Sequence, residues 1–277
     1  MKCGSAEAKP VFIERIPRSR VGYSPPAQLK ELAKGLFVAD DWGFSPAINA
    51  GILCLAKKGW VRSVSCVANA PHLLSGLDEL LAIAGLKFSL HFNLTYGRPL
   101  LALNRLTLSD GEFRSLRWLI GRAYGKALPG TEITEELEAQ LQRLLDVHIP
   151  VCGIDGHHHI HLLPGIADSV QNLVERHGLK RIRVMNDRQH LFSYGQSQLF
   201  QRRWCRSGMR VHFEPCYYLR PANLFDRAAF IQKCRTHAPL LVHPALMDDF
   251  ARTGMVDCLR EQRVFELRQI LRFLESE

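Results

Sequence analysis

Two hydrophobic rhythms alternate along this chain. Short apolar runs bounded by Gly, Pro or Asp read as buried strands, and stretches with apolar residues three and four apart read as helices. The first run, Gly35 to Ala39, ends in the pair Asp40-Asp41. Ser45 is then placed to cap a helix with Pro46 in its first turn, and Ile48, Ile52, Leu55 and Ala56 carry its apolar stripe up to Gly59. Val61 to Ala68 and Leu86 to Leu94 read as strands, with a helix over Pro71 to Ala84 between them. A later helix, capped by Thr131, carries Leu137, Leu141, Leu144 and Leu145, and Val151 to Asp155 is the strand that follows. The second half repeats the rhythm. Helices are predicted over Pro164 to Arg176, Gln196 to Trp204, Leu224 to Cys234 and Leu259 to Leu274; strands over Lys180 to Met185, Val211 to Leu219 and Leu240 to His243.

Strands alternating with helices imply parallel pairing through right-handed crossovers. A single-domain α/β barrel or barrel-like sheet fits best, and an open doubly wound sheet is second. No Gly-x-Gly-x-x-Gly follows the first strand, which argues against a dinucleotide site. Between Thr95 and Gly130 the rhythm weakens, leaving room for one short helix near Leu116 to Ala123. So long an excursion is more often a functional cover than a simple connector. Residues 1–34 are polar, basic and broken by prolines, and are expected to form a partly ordered extension to a domain over 35–277. That leader lacks the apolar core of a signal peptide, so a cytoplasmic location is expected.

Composition narrows the picture. The chain has 277 residues, 47% of them hydrophobic and 23% charged, enough for a large core. No apolar stretch reaches the length of about 18 residues that a membrane helix needs. Eight scattered cysteines form no Cys-x-x-Cys pair, which favours buried thiols in a reduced compartment over a cysteine zinc site. The net charge of +9 is dispersed and accompanies no nucleic-acid-binding motif, so a basic enzyme is favoured and an anionic substrate stays open.

The candidate chemistry centres on Ile154 to Pro164, where four of the twelve histidines fall within five residues. If the segment is extended, His157, His159 and His161 share a face and His158 opposes them; if helical, His157 and His161 are neighbours. Either geometry brings two imidazoles to one point, so spacing does not choose the ligands. In parallel α/β folds the site lies at the carboxyl ends of the strands. Asp40-Asp41, His91, the Asp155 to His161 cluster and His243 all fall at such ends. An Asp with two His suits a divalent metal that activates water, with a second carboxylate as base and another histidine as acid.

Ala39-Asp40-Asp41-Trp42-Gly43-Phe44-Ser45-Pro46 resembles the ADDFG-type motif of the YdjC-like (ChbG/HpnK) carbohydrate deacetylases. Leu90-His91-Phe92-Asn93-Leu94-Thr95 is similar to their second motif, Asp155 to His161 to their third, and His243-Pro244 to their late His-Pro pair. These motifs span about residues 35–275, in the family's order. The resemblance implies a deformed (β/α) barrel related to the polysaccharide deacetylases, and metal-dependent removal of an N-acetyl group from an amino sugar or glycolipid. It implies Asp41, His91 and His157 as metal ligands, Asp40 as the base acting on metal-bound water, and His243 as the acid. The family suggests magnesium, whereas the ligand chemistry suits zinc or another transition metal. A homodimer is implied by the resemblance alone. Trp42, Asn93, Asp155, His159, His161 and Arg183 are expected to contact substrate or support the ligands. The chain departs from the pattern at Gly156, which stands where Ser is usual and is expected to loosen the loop. The acidic residue often found just upstream of the His-Pro pair is absent from Pro239 to Val242.

Overall fold

A computed structural model describes residues 26–187, 191–207, 211–219, 221–247 and 259–275. Most of the leader, residues 1–25, lies outside the described residues. Its remaining part forms α1 (Pro26–Ala33), which buries Leu29 and Ala33 in the main core beside the last helix, α10 (Arg260–Glu275).

Seven parallel strands close into a barrel: β1 (Phe37–Trp42), β2 (Val61–Cys66), β3 (Lys87–Phe92), β4 (Val151–Gly156), β5 (Arg181–Met185), β6 (His212–Tyr218) and β7 (Leu240–Val242). Each pairs with its sequence neighbour, and β7 closes on β1 through Phe37↔Leu240, Val38↔Leu241 and Ala39↔Val242. The connecting helices wrap the outside: α2 (Pro46–Lys57), α3 (Leu77–Leu81), α4 (Leu116–Tyr124), α5 (Gly130–Asp146), α6 (Ile166–His177), α7 (Leu191–Ser207), α8 (Pro221–Phe225) and α9 (Arg227–Cys234). The large apolar core lies between strands and helices, while Val38, Met185, Cys216 and Leu241 form a separate small cluster. Of the two expected sheets, the closed barrel is the one formed.

Several boundaries differ from the sequence reading. Only Leu77–Leu81 of the stretch Pro71 to Ala84 is helical. The carbonyls of His72, Leu73 and Ser75 are taken by Asn49 Nδ2 and Trp42 Nε1, so side chains compete with a helical ladder there. Helix α5 starts at Gly130 after Pro129, and Thr131 does not cap it. Leu224 to Cys234 divides at Asp226, whose side chain accepts from Ala228 N and caps α9. Pro164 stays outside α6, because Gly165 at φ 81° turns the chain first.

Candidate functional site

In a regular strand, neighbouring residues point to opposite faces. Asp40 and Asp41 do not. Along β1 the register runs from Ala39↔Val64 to Trp42↔Cys66, so three steps on β1 oppose two on β2: a β-bulge. Asp41 absorbs it at φ 70°, a left-handed conformation rare outside Gly, Asn and Asp. Both buried carboxylates thereby reach the groups at the barrel mouth.

Around Asp41 the arrangement converges. His91, near the end of β3, places Nε2 3.2 Å from Asp41 Oδ1, and His157 places Nδ1 3.2 Å from the same oxygen. That oxygen is buried and has no hydrogen-bond partner. A carboxylate oxygen and two imidazole nitrogens, all within 4.8 Å of one another, fit a divalent cation by donor type and spacing. Asp40, His91 and Asp155 form a second cluster of the same size. Asp40 gives both its oxygens to Arg183 and Asp155 gives its own to Arg183, Ser65 and His91, whereas Asp41 keeps Oδ1 without a hydrogen-bond partner for a cation.

The supporting contacts are dense. His91 Nδ1–H donates to Asp155 Oδ1 at 2.5 Å, which orients the ring with Nε2 toward Asp41. Arg183 donates to both Asp40 oxygens at 2.6 and 2.7 Å, and its Nη2 lies 2.6 Å from Asp155 Oδ2 and from Ser65 Oγ. Burial disfavours charge on Asp155, but Arg183 and His91 hold its carboxyl down to about 2. Burial likewise opposes Asp41, yet Arg263 and His157 keep it well below the usual carboxylate range. For His91, the nearby Asp40 and Asp155 outweigh burial and push the ring up to about 10.

The four clustered histidines go to four places. Residues His157–Leu162 form a 3-10 turn in which His158 and His159 adopt φ 54° and 56°, neither extended nor α-helical. His157 faces Asp41, edge-on to Phe44. His158 bonds Thr95 Oγ1 at 3.0 Å. His159 bonds the Tyr218 hydroxyl, and His161 Nε2 donates to the Arg183 carbonyl at 2.9 Å. Burial pushes His161 down to about 4, so it is neutral at pH 7. Gly156 does not loosen this loop. A Cβ there would lie 3.0 Å from His161 Nδ1, so glycine permits the close approach.

Trp42 is fully buried, its indole N–H donating to the Leu73 carbonyl. Asn93 spends its amide on Asn69, Thr95 and Tyr96, folding the turn after β3. His243 Nε2 lies 4.0 Å from Asp40 Oδ2, and burial lowers its ring to about 4. Two further residues, invisible to the sequence reading, come from α10. Arg263 Nη2 donates to Asp41 Oδ2 at 2.6 Å, and Glu266 Oε1 accepts from His243 N at 2.6 Å. Glu266 thus puts a carboxyl beside His243 from outside the segment where the motif has one. In sequence the two sit one turn apart on an amphipathic helix, and nothing distinguishes them from surface charges.

A family model described as YdjC-like protein matches residues 36–274. The chain belongs to the YdjC-like family. This YdjC-like protein is 37% identical, over 129 residues (46% of its length), to chitooligosaccharide deacetylases of Yersinia pestis (strain Pestoides F) and Yersinia pseudotuberculosis (serotype O:1b, strain IP 31758). The match spans 50% of the length of those relatives. A crystal structure from Enterococcus faecalis V583, of a candidate cellobiose-phosphate cleavage protein, superposes with a TM-score of 0.68 at 19% identity, over 87% of this chain and 90% of that one. At that identity the likeness is one of fold. Among the described residues no helix is long and apolar enough to cross a membrane.

Proposed function

We propose that this YdjC-like protein is a metal-dependent deacetylase that hydrolyses the N-acetyl group of an amino sugar or glycolipid. The observation that carries the reading is the pairing of two jobs on adjacent residues: Asp41 faces His91 and His157, while Asp40 stands beside them in the grip of Arg183. The similarity to chitooligosaccharide deacetylases supports it.

Asp41, His91 and His157 would hold the ion, zinc or another transition metal by ligand type and magnesium by family resemblance. Bound there, a divalent cation supplies a Lewis acid for water and for the acetyl carbonyl. The chain's own groups do the rest. Asp40, aimed by Arg183, takes a proton from the attacking water as the water oxygen bonds to the carbonyl carbon. His243 is neutral at rest, and its Nε2 lies 4.0 Å from Asp40 Oδ2, which places it to receive the proton that Asp40 has taken. His243 then gives that proton to the amine as the C–N bond breaks, releasing acetate. Phe44 packs edge-on against Tyr96 and His157, an aromatic contact beside the ligand set.

Asp40→Asn tests the assignment. Acetate release from N-acetylated chitooligosaccharides is expected to disappear while elemental analysis still finds metal. Undiminished turnover in that variant would remove Asp40 from the mechanism.

A further inference from the structure

Val38 on β1, Met185 on β5, Cys216 on β6 and Leu241 on β7 form the small cluster, and Tyr218, the last residue of β6, packs against it. Residues two apart on a strand share a face. Tyr218 therefore shares a face with Cys216, one step nearer the carboxyl end, just as Asp40 follows Val38 and His243 follows Leu241. Strands β6 and β1 flank β7 in the closed sheet, so these three residues stand on neighbouring strands at the barrel mouth. The Asp40 carboxylate is near enough to act electrostatically on both Tyr218 and His159.

The Tyr218 hydroxyl is held in place by side chains from two other elements. The His159 ring bonds it through Nε2, with ring centroids 5.7 Å apart, and Ser193 at the start of α7 hydrogen-bonds it as well. His159 has φ 56°, a left-handed backbone that a residue other than glycine adopts at a cost. Neither the ligand set nor the proton path uses this strained, buried ring, and its Nδ1 is buried without a hydrogen-bond partner. Burial holds the ring well below the ordinary imidazole range, so it carries one hydrogen. Among buried backbone groups an orphaned N–H is the rarer case, and the same preference assigns that hydrogen to Nε2. Nε2–H then donates to the tyrosine oxygen, and the tyrosine's own hydrogen is directed away from His159. Burial pushes Tyr218 up to about 12, so the hydroxyl keeps its hydrogen at neutral pH.

We infer that the Tyr218 hydroxyl touches the substrate, donating to the acetyl carbonyl oxygen and to the oxyanion that replaces it, with His159 as its positioning residue. This rests on the deacetylase reading. The attacking water lies against Asp40, so the acetyl carbon must come beside Asp40, close to Tyr218. A cationic donor there would be captured by the carboxylate, as Arg183 is; a phenol stays neutral and keeps its hydrogen for the substrate. The carbonyl oxygen has two lone pairs, one for a Lewis acid and one for the hydroxyl. As the water oxygen bonds to carbon, the carbonyl π pair moves onto that oxygen. A donor already in place then gains strength without reorganising.

Tyr218→Phe, loaded with zinc beside the wild type, tests it, because phenylalanine keeps the ring on the Val38 cluster and removes only the hydroxyl. Its kcat for acetate release from N,N'-diacetylchitobiose is expected to fall about 10²–10³-fold, with KM within about twofold. A tetrahedral mimic, the same sugar with one acetamide replaced by a methylphosphonamidate, should lose calorimetric affinity by a similar factor. The product amine and zinc itself should bind as they do to the wild type. His159→Ala should lower kcat by a smaller factor, and adding it to Tyr218→Phe should lower kcat no further, because the ring acts through the hydroxyl. Fully additive losses overturn the role of His159. A kcat in Tyr218→Phe within about threefold of wild type overturns the inference. So does equal weakening of the mimic and the product amine, which marks a merely structural hydroxyl. Absence of acetate release by the wild type would sink the deacetylase reading as well, whereas an active wild type beside an unimpaired Tyr218→Phe sinks this inference alone.

Discussion

Arg263, 222 residues downstream of Asp41, donates to one oxygen of that carboxylate and leaves the other facing His91 and His157. The guanidinium keeps Asp41 ionised despite burial and fixes which oxygen is presented. Arg263→Gln should weaken binding of zinc or manganese about 10–100-fold. It should also destabilise the protein by about 3–5 kcal/mol, because a buried charge loses its partner. Calorimetric metal titration and thermal denaturation of the metal-free protein read the two effects separately. Wild-type affinity in the variant would show that the three ligands organise themselves.

Arg183 bridges Asp40 and Asp155, and so couples the base to the carboxylate that orients His91. Lysine keeps the charge but cannot reach two carboxylates with a planar fork. Arg183→Lys is expected to lower the acetate-release rate about 100-fold, through a misaimed base, with metal content retained. A rate within twofold of wild type would reduce Arg183 to a charge balance.

A Cβ on Gly156 would lie 3.0 Å from His161 Nδ1 and 3.2 Å from Ile160 Cγ1, tighter than ordinary contact. Gly156→Ala should crowd the imidazole that holds the Arg183 carbonyl and cost about 1–3 kcal/mol. In a chain of this size each kcal/mol corresponds to about 2–4 °C in Tm. An unchanged Tm would mean that the turn relaxes freely.

Burial pushes Glu266 up to about 8, against the pull of the His243 N–H and of Arg263. An unfolded glutamate titrates near 4.3, so the folded state retains a proton that the unfolded state has lost. The stability from this group is fully present below about pH 4.3 and disappears as pH rises through 8. Glu266→Gln should therefore gain in Tm relative to wild type between pH 5 and pH 9. A Tm difference that is flat across that range would place the titration elsewhere.

The sequence by itself determined the alternation that became the barrel. Apolar runs such as 35–39 and 240–242 can only be buried, and the intervening helical stripes must cover them. It also marked Asp40, Asp41, His91 and His243, because polar residues at the ends of buried runs stand out. Tertiary structure decided which side chains meet. One inserted residue in β1 turned Asp41 to the mouth, against the alternation that strand periodicity predicts. Two left-handed residues scattered the histidine run, so that only His157 faces the ligand set. Arg263 and Glu266 became part of the site only when β7 closed on β1 and α10 packed behind them. Periodicity reports which face of its own element a residue occupies. Partners more than 200 residues apart are set by barrel closure, which no local pattern encodes.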